Sequence, residues 1–140
     1  MTTDEKISAL RRAMAAAGVD ATIVPSSDPH QSEYSAPRFA VRAWVSGFTG
    51  SAGTVVVTRD HAGLWTDSRY FLQAEAQLNG TEVQLHKLQV QTEPEWVAWV
   101  AENLPAGSVV GVDGRVFSRA SARGMEKLLA GKGISLRVDF

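Results

Sequence analysis

Apolar residues recur at helical spacing at the start of the chain. Ile7, Leu10, Met14 and Ala17 share one side of a helix expected over about Thr3–Ala17. Thr2 with Glu5 forms a capping box at its start, and Gly18 stands where the helix must stop. Two apolar runs without alternation follow. Ala21–Val24, ended by Pro25, and Thr54–Thr58, with three consecutive valines, both read as strands with two buried faces. The turn-rich residues Arg59, Asp60, His61 and Gly63 separate the second run from Leu64 and Trp65, which predicts a hairpin between antiparallel neighbours.

A second helix is expected from about Asp67 to Leu78, stopped by Asn79 and Gly80. Val83 and Leu85 then alternate with Glu82, Gln84 and His86, the pattern of a strand with one wet face. Thr92 and Glu95 form a second capping box before a helix bearing Trp96, Val97, Val100 and Leu104, which Pro105 and Gly107 end. Val109 to Val112 is a buried strand closed by an Asp113-Gly114 turn. Helical spacing returns from Ser118 through Met125, Leu128 and Leu129, and Ile134, Leu136 and Val138 alternate as a last strand. Six strands interleaved with four helices predict an α/β fold, a mixed six-stranded sheet flanked by helices. No repeat, low-complexity tract or linker stands out. The one long irregular stretch, from Pro25 to about Ala36, exceeds the usual length of a loop in a compact domain, and such loops often carry function.

Composition narrows the functional classes. At 140 residues the chain is expected to form one domain over 1–140 that can bury a core without disulfides or a structural metal. It has no cysteine, which excludes thiolate zinc sites and cysteine nucleophiles and fits a reducing compartment. Fourteen basic against fifteen acidic residues leave no global field for nucleic acid or an anionic membrane. The first residues are polar and no apolar run approaches membrane-spanning length, so a soluble, cytoplasmic domain is expected.

Most candidate chemistry has a simpler explanation. Asp28, His30 and Ser32 include the residue types of a hydrolase triad, but residues two apart on an extended segment point to opposite sides; local hydrogen bonding is the better reading. The glycine-rich segment from Gly47 to Thr54 lacks the lysine and spacing of a phosphate loop and leads into a strand, so its glycines serve the backbone. The three histidines, His30, His61 and His86, show no metal-ligand spacing, and His61 in a turn and His86 on a wet strand face read as solvated. The segment Trp65-Thr66-Asp67-Ser68-Arg69-Tyr70-Phe71-Leu72 differs, because it runs from a strand end into a helix, where α/β folds place ligand crevices. Arg69 in a first helical turn opposes the helix dipole. Two readings stay open: it serves a carboxylate of a ligand or partner, or it pairs with Asp67 or a nearby glutamate.

Three segments carry a family resemblance: Val24 to Tyr34, Arg42 to Thr54, and Leu64 to Ala74. Together they resemble the N-terminal domain of Xaa-Pro aminopeptidase (aminopeptidase P), within the creatinase/prolidase N-terminal domain family. Ser68 departs from the expected glycine. The resemblance implies a creatinase N-terminal domain-like fold of ribonuclease H-like topology. It also implies a parent enzyme that removes the N-terminal residue from peptides with proline at position two. In that family the chemistry belongs to a C-terminal pita-bread metallopeptidase domain holding two divalent ions, usually manganese. No residue here matches those ligands, so no catalytic or metal-binding residue is expected in this chain, and the catalytic domain is expected to be absent from it. The N-terminal domain is expected to pack beside that catalytic domain, wall the substrate cleft and set the geometry of a homo-oligomer. By motif position Arg69 is the first substrate-binding candidate, with His30 and Tyr34 behind it. A free-standing ligand- or protein-binding module, or the N-terminal domain of a creatinase or prolidase, are the alternatives.

Overall fold

The first helix forms where its periodicity places it. In the structure, a computed structural model that describes residues 2–25, 41–48, 52–89 and 95–140, α1 spans Thr3–Ala17. Thr2 Oγ1 accepts from the Glu5 amide at 3.2 Å, satisfying one of the amides that a helix start leaves open. Gly18 ends the helix at φ 71°, a left-handed conformation that glycine takes without a Cβ penalty. Ile7 and Met14 are buried, and Leu10 and Ala17 pack at the margin of the same cluster.

The strands are β1 (Ala21–Val24), β2 (Thr54–Thr58), β3 (Ala62–Thr66), β4 (Val83–Lys87), β5 (Val109–Gly111) and β6 (Ser135–Arg137). They form one sheet in the order β4-β3-β2-β1-β5-β6. The predicted hairpin is present: β2 pairs antiparallel with β3, Thr54 opposite Trp65 and Val57 opposite Ala62. β2 is also antiparallel to β1, whereas the β1–β5, β3–β4 and β5–β6 pairs are parallel. Only β2 therefore runs against the others, and β3 and β5 end on the same edge of the sheet.

Helices cover both faces. α1, α2 (Val41–Ser46) and α3 (Phe71–Leu78) lie on one face, where Ile7, Met14, Val45, Ala74 and Leu78 join Val55, Val57 and Leu64 in one hydrophobic cluster. α4 (Glu95–Asn103) and α5 (Arg119–Ala130) cover the other, where Val97, Val100, Met125 and Leu129 meet Ile23, Val56, Trp65 and Val110. The alternation of Val55, Val56 and Val57 between the clusters is the period of two of a strand buried on both sides. Burying each such valine contributes on the order of 1.5–3 kcal/mol.

The structure departs from the sequence-based expectation in four places. α2 was not anticipated; at six residues it is too short to display a helical period, and it ends at Gly47 with φ 75°. The helix expected from Asp67 opens as a 3₁₀ turn over Ser68–Tyr70 and becomes α-helical at Phe71. The Asp113-Gly114 turn likewise continues as a 3₁₀ turn over Gly114–Val116. His61 and His86 are half-buried against one another rather than solvated. Of the glycine-rich segment, Gly53 has the backbone role expected of it, since a Cβ there would meet Phe48 Cε2 at 3.1 Å and Leu64 Cδ1 at 3.2 Å. The long stretch after Pro25 and the Thr92 half of the second capping box lie outside the described residues.

Candidate functional site

The edge of the sheet on which β3 and β5 end holds the first candidate residue. β3 ends at Thr66, whose hydroxyl donates to the Ala52 carbonyl at 2.7 Å, and Asp67 follows, buried. Asp67 caps the 3₁₀ turn: its Oδ1 accepts from the Arg69 amide at 3.0 Å. The Arg69 guanidinium returns to the same carboxylate in a bidentate grip, Nε to Oδ1 at 2.9 Å and Nη2 to Oδ2 at 3.0 Å. These hydrogen bonds hold the Asp67 carboxyl below its ordinary range against the opposing effect of burial. The guanidinium also lies 5.1 Å from the centre of the Tyr70 ring. Half of the Arg69 side chain remains at the surface. The dipole conflict read from the sequence is thus relieved locally, because the carboxylate sits at the N-cap and carries the arginine with it.

Tyr70 connects this turn to the core. Its ring meets Phe48 edge to face with centroids 6.0 Å apart, and the Arg42 guanidinium lies 5.2 Å from the Phe48 ring centre. Arg42 is buried, and desolvation lowers its pKa to about 10, still protonated at neutral pH.

The arrangement at Arg69 occurs twice. Asp113-Gly114-Arg115-Val116-Phe117 repeats the Asp-x-Arg-x-Phe pattern of Asp67-Ser68-Arg69-Tyr70-Phe71 at the end of β5. Asp113 Oδ1 accepts from the Arg115 amide at 3.0 Å, and Arg115 grips the carboxylate through Nε at 3.0 Å and Nη2 at 2.8 Å. Both units close a strand-to-helix turn on the same sheet edge, three strand spacings or roughly 14 Å apart. The sequence showed no repeat because only three of five positions coincide. His30 and Tyr34, the other candidates, lie outside the described residues.

A second cluster went unforeseen. His61 and His86 bring their Nε2 atoms to 3.0 Å, with the His86 ring stacked on Trp65 at 3.9 Å and Trp99 of α4 lying 4.7 Å from the His61 ring. Gly63 leaves the space: a Cβ there would meet His86 Cδ2 and Trp65 Cζ3, both at 2.8 Å. Gly63→Ala is expected to lower the unfolding free energy by about 1–2 kcal/mol, because both rings must shift to admit the methyl. Urea denaturation of the 140-residue chain checks this, and unchanged stability would show that the rings yield freely.

Comparison with known proteins decides what this fold is. The family description "Creatinase/Prolidase N-terminal domain" matches residues 6–136. The chain belongs to that family. It is 47% identical over 135 residues to Aminopeptidase P2 of Arabidopsis thaliana and 45% identical over 134 residues to a probable Xaa-Pro aminopeptidase P of Neosartorya fischeri. These alignments take in 95% and 96% of this chain but 19% and 20% of the relatives, so it spans about a fifth of their length. Among solved structures it is similar to the X-prolyl aminopeptidase of Caenorhabditis elegans, described as a cytosolic enzyme with a di-nuclear active site. That match has a TM-score of 0.87 at 35% identity and covers 97% of this chain and 24% of that one. It also resembles the N-terminal domain of the cytoplasmic peptidase PepQ of Mycobacterium tuberculosis, with a TM-score of 0.72 at 26% identity over 97% of this chain and 94% of that one. This creatinase/prolidase N-terminal domain has the mixed six-stranded sheet expected from the sequence. Among the described residues no three His, Cys, Asp or Glu side chains come together to hold a metal ion, and no helix is long and apolar enough to cross a membrane. The described donor set does not fit a di-nuclear centre.

Proposed function

We infer that the chain is the non-catalytic N-terminal domain of a metal-dependent Xaa-Pro aminopeptidase. The observation that carries this reading is the 47% identity to an aminopeptidase P of which the chain spans 19%. On this reading the parent enzyme removes the residue preceding proline from the N-terminus of peptides. Its two divalent ions, manganese by family resemblance, belong to a C-terminal pita-bread domain of the same polypeptide. The 140 residues serve as a wall of the peptide cleft and as part of the geometry of a homo-oligomer in the cytoplasm.

Within that frame Arg69 is the substrate-facing residue of the described sheet edge, with His30 and Tyr34 as its proposed companions. Asp67 orients the guanidinium, and half of the side chain lies at the surface, where it would face a peptide carboxylate or the neighbouring domain. The 140-residue chain supplied with Mn²⁺ is expected to leave an X-Pro peptide uncleaved, while the full-length enzyme cleaves it. Metal-stimulated cleavage by the short chain would overturn the assignment.

A further inference from the structure

The His61–His86 pair lies apart from the Arg69 edge and has no part in the function proposed above. Parallel pairing of β3 with β4 sets His86 beside Trp65 and Gln84 beside Gly63. The missing side chain at Gly63 lets the His86 imidazole lie across β3 toward His61, which ends the β2–β3 turn. Trp65 stacks on His86 with an interplanar angle of 8°, and Trp99 covers both imidazoles from α4. Two ring nitrogens 3.0 Å apart, roofed by tryptophan, are placed to share one proton.

We propose that His61 and His86 form a single-proton latch: with one proton shared between their Nε2 atoms they tie the β2–β3 turn to β4 beneath Trp99, and full protonation of both rings drives them apart and loosens α4. In the neutral pair one Nε2–H donates and the other Nε2 accepts. A first added proton settles on the bare Nδ1 of the donating ring and leaves the Nε2–H to Nε2 bond in place; a second protonates the accepting Nε2, leaving two donors, no acceptor and two positive charges at hydrogen-bond distance. Two imidazoles supply only two metal donors, and no third joins them among the described residues, so a proton is the better occupant.

Burial favours the same outcome, while the surrounding charges act in both directions. Burial lowers both imidazole pKa values from 6.5, and His61 lowers that of His86 further. Beside His61, the Asp60 carboxylate favours protonation and Arg11 of α1 opposes it, with Arg11 itself ion-paired to Glu82 ahead of β4. Glu95 and Glu102 of α4 and Lys132, just after α5, border the Trp65–Trp99 groove. Lys87, next to His86, pairs with Glu75 of α3. A group whose pKa is lowered by folding favours the folded state above its unfolded value. Stability is therefore lost as pH falls from about 6.5 through the folded values.

The test is a pH titration of the imidazole resonances in the 140-residue chain, with amide exchange and melting temperature followed in parallel. The PepQ N-terminal domain, solved on its own, shows that this fold stands without its catalytic partner. The expected result is two coupled steps, the second displaced below 6.5, with amides of α4 losing protection in that step. The melting temperature is expected to fall by about 4 °C or more between pH 7.5 and pH 5. In His61→Gln, which keeps a donor but takes no proton, most of that fall disappears and His86 titrates once. Independent titration of both rings near 6.5, or an undiminished acid-induced fall in His61→Gln, would overturn the proposal.

Discussion

Phe48→Ala is expected to lower the unfolding free energy of the domain by about 3–5 kcal/mol, a large fraction of the total for a chain of this size. Phe48 is fully buried and, among the described residues, has the largest volume of the side chains of which this is true. It follows α2 by two residues, and three features converge on its ring. The Gly53 backbone approaches so closely that a Cβ would stand 3.1 Å from Cε2, Tyr70 meets it edge to face, and the Arg42 guanidinium lies beside it. Truncation removes apolar burial, opens a cavity that a sheet strand and a glycine backbone cannot fill, and strips one cover from a buried cation. Chemical denaturation with an unchanged m-value checks it, and Phe48→Leu should recover most of the loss because it conserves volume. A loss under about 1 kcal/mol would mean that the cluster collapses around the gap.

That cluster also shows what the sequence could reveal. The valines of β2 announce a buried strand without reference to anything else, and α1 announces itself through Thr2, Gly18 and the 3.6-residue period. α2 spans less than two turns, so its six residues gave no period to read. The pairing of Arg69 with Asp67 was legible as one of two readings, because both residues lie within one turn. The His61–His86 pair was not legible: its members are 25 positions apart and meet through the β3–β4 register and the absence of a side chain at Gly63. Local patterns carry propensity and capping, whereas a contact across strands depends on register, which single-residue reasoning does not contain. Trp99 adds a second reason, since it arrives from a helix on the opposite side of the sheet from α1 and α3.

Arg69→Ala in the full-length enzyme is expected to reduce kcat/KM for an X-Pro peptide by about 1–3 kcal/mol, about fivefold to somewhat over a hundredfold. The molecule carries its own control in Arg115. Both arginines grip the aspartate two residues before them with the same atoms, and both turns follow strands that end on one sheet edge. If the Asp-x-Arg unit only closes the turn, Arg69→Ala and Arg115→Ala should shift the melting temperature alike and leave the kinetics alone. If Arg69 also meets the peptide or the wall opposite it, only Arg69→Ala changes the kinetics. Arg69 is half exposed but the Asp67 carboxylate it grips is buried, so the melting temperature is followed beside the kinetics, and a kinetic loss in a variant that is still folded at the assay temperature is not a folding defect in disguise. Arg69→Lys separates charge from geometry: a point charge that meets a carboxylate should recover part of KM, whereas a role for the planar fork held by Asp67 leaves the lysine variant as impaired as alanine. Where KM rises and kcat holds, the contact is one that substrate and transition state share equally; where kcat falls with it, the sheet edge positions the peptide for the reaction itself.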